Sequence, residues 1–555
     1  MMTIRGLLEK NAESLGGRVA MTWCRDKVWQ RRSWAELNAR VRDLAEGYGS
    51  RFGLEPRKDN VAIILGNSPE WIECYLAQSG AGVSVVPMDP KLHESEVEFI
   101  LRDAEAVVVT TDKAHLRMMM NLAPKLPKLR GLVVVDGIIF EGQKIGDAVQ
   151  VVGYDKLRVS GGGAWFDARR PEPDDVASII YTSGTTGKPK GAMLTHRNFI
   201  SDLDGAVETL GVPITADDSL LVVLPLFHAF SFSTNFMVAM RIGAELKFVE
   251  SLRTVGRDIA ILKPTAIMAV PLLAEKLHDK LEEGLKGSAA ARFLLKIGVR
   301  GIVWHMVRMK LGGRLRFIVT GGAPCPRHVL EGFRRIHVKF IEGYGLTECA
   351  PIVSVTDYNT SRIGTIGRPC KGVEVRLADK NDSGVGELQV RGPNVMKGYF
   401  HNDKATKESF DGDWFATGDL ASMDEEGYIT IRGRKKALIV NREGKNIYPE
   451  EVENTISKDP AVQDVIVVGY TQGGIPGERV GAIVYPNEEW FAGENGGQAP
   501  DWAEIEKTVT KRVQERSAEL ADYKRVRKVA VYREPLERTS VGKVRRVAYK
   551  GKLDE

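Results

Sequence analysis

The chain of 555 residues holds 78 Lys and Arg against 73 Asp and Glu, for a formal net charge of +5, and 43% of its residues are hydrophobic. That length exceeds what one hydrophobic core serves, so at least two domains are expected. The composition excludes wholesale disorder and collagen-like repeats, and so small a net charge gives no support for nucleic-acid binding.

The N-terminal residues and the cysteines indicate the cellular compartment of the protein. The first ten residues contain no apolar run of signal-peptide length, and the five cysteines are scattered without a CxxC pair. We therefore expect a reducing compartment, a cytoplasmic protein and no zinc site. Residues 219–240 lack charged side chains but hold proline, histidine and hydroxyl groups, which predicts a buried strand and a pocket wall rather than a transmembrane helix. Peripheral contact with a membrane stays open.

Short apolar runs alternate with longer amphipathic segments between about residues 58 and 345. This alternation predicts α/β layers built on largely parallel sheets. One amphipathic segment, residues 94–103, places Val97, Ile100 and Leu101 on a single helical face. The runs predicted as buried strands are residues 60–65, 83–87, 106–111, 132–136, 177–181, 220–224, 266–270 and 315–320.

The pattern changes after Gly364. Short strands separated by turns at 381–384 and 424–427 predict a small antiparallel barrel or ribbon. Beyond residue 434, strands at 464–470 and 480–485 and a helix from Asp501 predict an α+β unit. We therefore expect a large N-terminal domain of layered α/β subdomains plus a small β-barrel at residues 1–433. A small, mobile α+β domain is expected at residues 434–555.

The strongest local signal is YTSGTTGKPKG at residues 181–191, directly after a predicted strand. Its glycines let backbone N–H groups approach phosphate oxygens, its hydroxyls donate hydrogen bonds, and its lysines neutralise charge. A Walker A loop is excluded because Lys188 is followed by proline and the glycine spacing is short. The loop therefore predicts a polyphosphate site.

Five further motifs follow in order. They are GGAP at 321–324, YGLTE at 344–348, TGD at 417–419, GRKK at 433–436 and TSVGKVR at 539–545. Together with the loop they resemble the adenylate-forming superfamily, which comprises acyl-CoA synthetases, luciferases and peptide-synthetase adenylation domains. The resemblance spans nearly the whole chain and is nearest to AMP-forming medium- or long-chain fatty acyl-CoA synthetases.

The resemblance implies an enzyme that uses ATP and Mg²⁺ to convert a carboxylic acid into acyl-AMP and then transfers the acyl group to CoA. Its implied catalytic residues are Lys543, Thr347, Glu348 and His228: Lys543 would bridge the acid carboxylate and the α-phosphate, and Glu348 would hold magnesium. His228 would lie at the carboxylate end of the acyl pocket. The residues expected to bind the nucleotide are Thr182, Ser183, Gly184, Thr185, Thr186, Gly187, Lys188, Gly322, Ala323, Pro324, Tyr344, Gly345, Asp419 and Arg434.

The C-terminal region carries the remaining expectations. Lys436 is the expected hinge between two domain orientations, and Gly444 is expected to let the pantetheine arm pass. The acidic residue common after the hinge in the family is Ala437 here, which leaves the local salt bridging open. Residues 523–555 hold 11 Lys and Arg against 4 Asp and Glu, so the basic excess lies beside Lys543 and points to a small polyanion.

Alternatives remain at three points. The acceptor is either CoA or the phosphopantetheine of a carrier protein, or the enzyme releases acyl-AMP; a catalytically silent acyl- or nucleotide-binding protein is a third possibility. The aromatic side chains between Phe230 and Phe236 either line an acyl tunnel or pack in a core. A monomer or a homodimer is expected, with a fatty acid, ATP and CoA as its partners.

Overall fold

A computed structural model describes residues 2–137, 139, 142–146, 148–182, 188–297, 300–360, 362–473, 475–494, 500–538 and 544–554, without the side chains of 290, 291, 295, 300, 475 and 476. Contacts divide the chain into two compact units. The first comprises Met1–Glu374 with Val390–Phe415, and the second comprises Val375–Gln389 with Ala416–Glu555. The domain boundary expected at residues 433 and 434 stays a prediction.

Two large sheets organise the described part of the first unit. Most of their central strands are parallel and fully buried, as helices on sheet faces require. One sheet has the order Arg368–Pro369, Ile352–Val355, Lys339–Gly345, Phe317–Gly321, Ala266–Ala269, Ser219–Val222, Glu245–Phe248, Val19–Arg25 and Val28–Ser33. The other has the order Gly398–Tyr399, Lys190–Thr195, Val176–Thr182, Ser84–Met88, Asn60–Ile64, Ala106–Asp112, Gly131–Val135, Val149–Gly153 and Lys144–Ile145.

Three smaller sheets complete the described strands. One contains Glu374–Ala378, Gly386–Arg391, Trp414–Met423 and Phe410–Asp411, with Ile429–Arg434 paired to the third of these. The others contain Ile439–Val440 with Asn446–Ile447, and Val462–Gln472, Ile475–Pro486 and Lys528–Val531.

Capping residues fix where several helices begin. Ser33 and Thr195 each form a capping box, in which the cap hydroxyl and the side chain three residues later satisfy each other's backbone N–H groups. The α-helices are Ile4–Ser14, Trp34–Phe52, Pro69–Ser79, Glu94–Asp103, Leu116–Leu122, Tyr154–Leu157, Ala164–Asp167, His196–Thr209, Ala229–Ser231, Val238–Ile242, Val255–Leu262, Pro271–Gly287, Ala289–Lys296, Arg300–Lys310, Arg327–Arg335, Asp403–Glu408, Pro449–Ile456, Glu488–Glu494 and Trp502–Ser517. Single turns of 3₁₀-helix occur at Ala123–Lys125, Thr347–Cys349, Lys435–Ala437, Asp522–Lys524 and Arg546–Tyr549, and a π-turn at Phe232–Met237.

The predicted α/β organisation is confirmed. All eight predicted strands are present, each within two residues of its expected ends, and the helix at Glu94–Asp103 has the predicted bounds. In the second unit Asp501 caps the helix Trp502–Ser517, whose Ile505, Val509 and Val513 are buried. Among the described residues, no helix is both long and apolar enough to cross a membrane.

The segment after Val222 differs from the prediction. The strand expected at 220–224 ends at Val222, and His228, within the stretch expected to form a buried strand and a pocket wall, is the N-cap of helix Ala229–Ser231. The Asn67 side chain donates to the carbonyl of Leu224 and accepts from the backbone N–H of Leu226, at 2.8 Å each. These bonds replace the strand ladder, so the chain leaves the sheet ahead of His228.

The aromatic residues that follow mostly pack in a core. The rings of Phe232 and Phe236 lie edge-on to those of Trp71 and Tyr75, with centroids between 4.8 and 6.4 Å apart. Both phenylalanines are fully buried. Aromatic packing therefore explains these two side chains without an acyl tunnel.

Candidate functional site

The predicted phosphate loop is held by a β-hairpin. Strands Val176–Thr182 and Lys190–Thr195 are antiparallel, and Thr182 lies opposite Lys190 at the end that leads into the loop. Lys188 is exposed beside it. Loop residues Ser183, Gly184, Thr185, Thr186 and Gly187 lie outside the described residues, so their nucleotide role stays a prediction. The hairpin fixes where the loop starts and ends.

Tyr399 links this hairpin to Glu348. The short strand Gly398–Tyr399 pairs with Lys190–Thr195, and the Lys190 ammonium lies 5.1 Å from the centre of the Tyr399 ring. The Tyr399 hydroxyl donates to Glu348 Oε1 at 2.8 Å. Burial and the neighbouring carboxylate raise the pKa of Tyr399, so this hydroxyl remains a proton donor. The predicted magnesium ligand therefore lies close to the strand that ends the phosphate loop.

The turn that carries Glu348 is fixed by backbone contacts with residues 394–396. The Met396 N–H donates to the Glu348 carbonyl at 2.8 Å, and Asn394 Nδ2 donates to the Cys349 carbonyl at 3.1 Å. Thr347 begins this 3₁₀ turn and is half-buried, like Glu348. A half-buried carboxylate oriented by a single hydroxyl is a hard oxygen donor, and it fits the expected magnesium role.

The expected adenine turn follows a central strand of the first sheet. Strands Phe317–Gly321 and Lys339–Gly345 are adjacent and parallel, with Gly321 opposite Gly343, so the turn and Tyr344 emerge at one edge of the sheet. Gly322 adopts a φ of +88°, which favours glycine. It is exposed together with Ala323, Pro324 and Gly345, and Tyr344 is half-buried. The structure thus brings these predicted nucleotide residues together.

Glu342 supports the same turn and was not predicted from sequence. Its carboxylate accepts from the Cys325 N–H at 3.4 Å, one residue after the GGAP turn, while its own N–H donates to Thr356 Oγ1 at 2.8 Å. Burial raises the pKa of Glu342 to about 7. A side chain two residues before Tyr344 therefore connects the turn to the neighbouring strand.

His228 begins the helix after Val222 and is mostly buried. Its ring lies 4.5 Å from the ring of Phe227, between centroids. Burial lowers its pKa to about 4 although Asp89 opposes that shift, so the imidazole is neutral at physiological pH. Two residues on, the Phe230 ring packs against the first glycine of the adenine turn: a β-carbon at Gly321 would lie 2.9 Å from it. This contact places the helix begun by His228 next to that turn.

In the second unit, Asp419 and Arg434 face each other across two strands. They are directly opposite in the pairing of Trp414–Met423 with Ile429–Arg434, and Arg434 Nε lies 2.8 Å from Asp419 Oδ1. The Asp419 side chain is 5% exposed and that of Arg434 is 52% exposed. A buried carboxylate next to an accessible guanidinium suits recognition of a ribose diol by one acceptor and one donor group.

Glu387 shapes the turn before Asp419 and was also missed. One carboxylate oxygen accepts from the Gly418 N–H at 3.2 Å, and the other accepts from Lys435 Nζ at 2.6 Å. Gly418 has a φ of +72°. The carboxylate therefore ties the Thr-Gly-Asp turn to the residue before the expected hinge.

The remaining predicted residues of the second unit are on the surface. Lys436 is exposed in the turn Lys435–Ala437, and Gly444 is exposed in a turn where its φ is +75°. Lys543 lies outside the described residues. Its catalytic role, the hinge at Lys436 and the pantetheine role of Gly444 stay predictions.

Long-range pairing explains why the sequence missed three of these residues. Tyr399 is 51 positions from Glu348, and Glu387 is 31 positions from Gly418. Neither spacing is periodic, so no local pattern signals either contact. Glu342 lies on the same strand as the Tyr344 motif, and its polar side chain within an apolar strand was the available signal.

The hairpin, the turn at the edge of the parallel sheet and Glu348 carry three of the motifs that resemble the adenylate-forming superfamily. The chain belongs to the AMP-binding enzyme family, which matches residues 8–400, while the AMP-binding enzyme C-terminal domain matches residues 451–543. The predicted family and its reaction class, an AMP-forming acid–CoA ligase that uses ATP, Mg²⁺ and CoA, are confirmed.

Similar proteins cover most of the chain. A long-chain-fatty-acid–CoA ligase of Mycobacterium bovis is 31% identical over 496 residues, which are 84% of this chain and 79% of that protein. A long-chain-fatty-acid–CoA ligase of Escherichia coli is 30% identical over 552 residues, covering 93% and 89% of the two chains.

Solved structures share the fold over nearly its full length. ATP-bound MatB from Rhodopseudomonas palustris matches with a TM-score of 0.75 and 26% identity, covering 99% of this chain and 98% of that one. The o-succinylbenzoate–CoA synthetase of Bacillus subtilis, in complex with its acyl-adenylate intermediate, matches with a TM-score of 0.73 and 25% identity, covering 97% and 96%. The predicted fold class is confirmed by these likenesses.

Proposed function

We propose that this chain joins a medium- or long-chain fatty acid to CoA by way of an acyl-AMP intermediate. The observation that carries the proposal is the Glu348 carboxylate, held by Tyr399 next to the strand that closes the phosphate loop. The identity of the acid is supported by relatives named as long-chain-fatty-acid–CoA ligases along 84% and 93% of the chain. Some structural neighbours act on other acids, such as o-succinylbenzoate. The identity of the acid substrate is therefore the first part of the proposal to test.

The reaction has two displacements. A carboxylate oxygen attacks the α-phosphorus of ATP, the bond to the bridging oxygen breaks, and pyrophosphate leaves. The CoA sulfur, having lost its proton, then attacks the acyl carbon, and AMP departs with the electrons of the anhydride bond. The first step brings two anions together, so the protein's task is to align them and neutralise their repulsion.

Named residues are assigned to that task. Glu348 would hold Mg²⁺, which when bound supplies positive charge to the phosphates. Lys543 would bridge the acid carboxylate and the α-phosphate, and Asp419 and Arg434 would contact the ribose. The uncharged His228, with Phe227 against it, would bound the carboxylate end of the acyl pocket without adding a charge to it.

A panel of acids tests the substrate and the acceptor. Pyrophosphate release is measured with acetate, octanoate, palmitate, benzoate and malonate, each with and without CoA, and products are identified by mass spectrometry. We expect the highest kcat/KM with octanoate or palmitate, and an acyl-CoA product. Preference for an aromatic or dicarboxylic acid would contradict the fatty-acid assignment. Pyrophosphate release without a thioester would instead favour a carrier protein as acceptor.

Lys543→Ala tests the assignment of the catalytic lysine. Adenylation should fall by about a thousandfold or more, because a preorganised charge at the transition state is lost. Thioester formation from synthetic acyl-AMP should be largely kept. Lys550→Ala is the matched control, since this exposed lysine lies in the same basic segment, and it should leave both half-reactions near wild type. Equal loss of both half-reactions in Lys543→Ala would contradict the assignment.

Other expectations belong to the same proposal. A cytoplasmic location and a monomeric or homodimeric state are proposed with it. Neither is required for the two half-reactions, so the acid panel and the Lys543 variant can be interpreted without them.

A further inference from the structure

Helix Arg300–Lys310 carries apolar side chains on two faces, one buried and one exposed. Val303 and Val307, one turn apart, are both buried, and Val307 belongs to a core cluster of the first unit. Ile302, Met306 and Met309 are four and three residues apart, so they share one face of the helix, and they are 53%, 40% and 53% exposed. One apolar face is enough to anchor a helix to its domain. Packing within the domain therefore does not explain why the exposed face is also apolar.

The preceding helix also carries exposed apolar side chains. Phe293 is 62% exposed, and Ile297, one turn later and still hydrogen-bonded to the Phe293 carbonyl at 3.1 Å, is 53% exposed. Helices Ala289–Lys296 and Arg300–Lys310 contact each other. We call the five residues Phe293, Ile297, Ile302, Met306 and Met309 the apolar ridge.

The charges on the two ridge helices themselves have one sign, whereas the neighbouring helix Pro271–Gly287 carries Glu282 and Glu283 beside Gly284, next to Lys310. No Asp or Glu occurs between Gly284 and Leu330, whereas residues 289–310 contain five Lys and Arg. Arg292, Lys296 and Lys310 are exposed beside the ridge. Within these two helices, exposed apolar side chains are flanked by basic ones, which is the composition of helices that lie in the interface of an anionic membrane.

We propose that the apolar ridge docks this protein on the surface of a membrane that contains anionic phospholipid. The apolar side chains would enter the boundary between headgroups and acyl chains, and the basic side chains would contact lipid phosphates. This inference goes beyond the proposed function and does not depend on which acid is activated.

Two other occupants fit less well. A second copy of the chain would bring two basic helix pairs together, and their like charges would repel each other. A nucleic acid would satisfy the basic side chains but would leave the five apolar ones without a partner. An anionic lipid surface accounts for both kinds of side chain.

Vesicle flotation with the full chain tests the proposal. The vesicles consist of phosphatidylcholine alone or of phosphatidylcholine with phosphatidylglycerol, and no substrate is added. We expect binding to the mixed vesicles, about tenfold stronger than to the neutral ones at low salt and weakened by added salt. No flotation with phosphatidylglycerol vesicles would overturn the proposal.

Substitutions test whether vesicle binding depends on the apolar ridge or on any exposed apolar side chain. Ile302→Ser, Met306→Ser and Met309→Ser combined should lower the vesicle partition about tenfold or more. Lys296→Glu with Lys310→Glu should remove the preference for phosphatidylglycerol. The matched control is Val28→Ser with Leu252→Ser, which changes two side chains of the same unit that are 60% and 69% exposed. The control should bind vesicles like wild type.

Two further measurements keep the interpretation unambiguous. Thermal unfolding and pyrophosphate release with a water-soluble acid should be the same in the ridge variant as in wild type, because the substituted side chains are exposed and none of them is an assigned site residue. Failure of the proposed function would appear in the pyrophosphate assay, and failure of this inference would appear only in flotation. If the ridge variant floats like wild type, or changes a dimer into a monomer without affecting flotation, the membrane assignment is wrong.

Discussion

The two carboxylates assigned to the nucleotide are held in different ways. Asp419 lies on a strand, and its partner Arg434 lies directly opposite on the next strand of the same hairpin. Glu348 lies in a single 3₁₀ turn, and its partner Tyr399 belongs to a strand 51 residues away. Strand register fixes the first pair locally, whereas the second pair depends on several distant segments packing together.

The difference also concerns charge. The Asp419 carboxylate already has a guanidinium at 2.8 Å, so a ligand there meets an ion pair. The Glu348 carboxylate has a neutral hydroxyl donor at 2.8 Å, and its charge is not cancelled by that contact. A divalent cation is attracted to uncompensated negative charge, and a neutral sugar is suited to a donor and an acceptor side by side. The roles that the resemblance implies for Glu348 and Asp419 fit this contrast.

Glu348→Gln should have the largest effect. The amide keeps the shape and an oxygen that can accept from Tyr399, but it removes the negative charge. We expect kcat/KM for pyrophosphate release to fall by about a hundred- to a thousandfold, with partial recovery at higher Mg²⁺. The measurement is a magnesium titration of the initial rate. Glu408→Gln, which changes an exposed glutamate of the same unit, is the control, and an unaltered magnesium dependence in Glu348→Gln would disprove the metal role.

Asp419→Ala should have an intermediate effect. Loss of a charged hydrogen-bond acceptor for the ribose should raise the KM for ATP by about ten- to a hundredfold, with little change in the response to magnesium. Glu374→Ala is the control, because Glu374 forms another ion pair with Arg391 at 2.6 Å on neighbouring strands.

A double-mutant cycle makes the Asp419 test sharper. If Asp419 serves only to hold Arg434, then Asp419→Ala should cost nothing further in the background of Arg434→Met. If it binds the ribose itself, most of the increase in the KM for ATP should persist there. The cycle therefore distinguishes a positioning residue from one that contacts the nucleotide.

The same contrast explains what the sequence predicts well. The strands at 60–65 and 106–111 were placed within one residue, because runs of buried β-branched side chains carry their own signal. The pairing of Asp419 with Arg434 lies within a single hairpin, whose turn at 424–427 was also predicted. Features fixed by neighbouring residues are thus accessible from the sequence.

Features fixed by distant residues were not predicted. The run as far as His228 has strand-like composition, yet Asn67 takes over its backbone hydrogen bonds from 157 residues away. Tyr399 and Glu387 act through contacts that no spacing in the sequence signals. Composition cannot distinguish these cases, because the deciding group lies in another element.

Tyr399→Phe should have the smallest effect and tests whether the distant partner matters for function. The ring that lies under Lys190 is kept, and only the hydroxyl that donates to Glu348 is lost. We expect the activity at limiting Mg²⁺ to fall by about three- to tenfold, and the loss to shrink at saturating Mg²⁺. Tyr485→Phe is the matched control, because the Tyr485 hydroxyl donates to the Glu488 carboxylate at 3.1 Å, away from the assigned site residues in the sequence. If both variants lower stability but only Tyr399→Phe shifts the magnesium dependence, the hydroxyl orients the metal ligand; if neither shifts it, Tyr399 serves the fold alone.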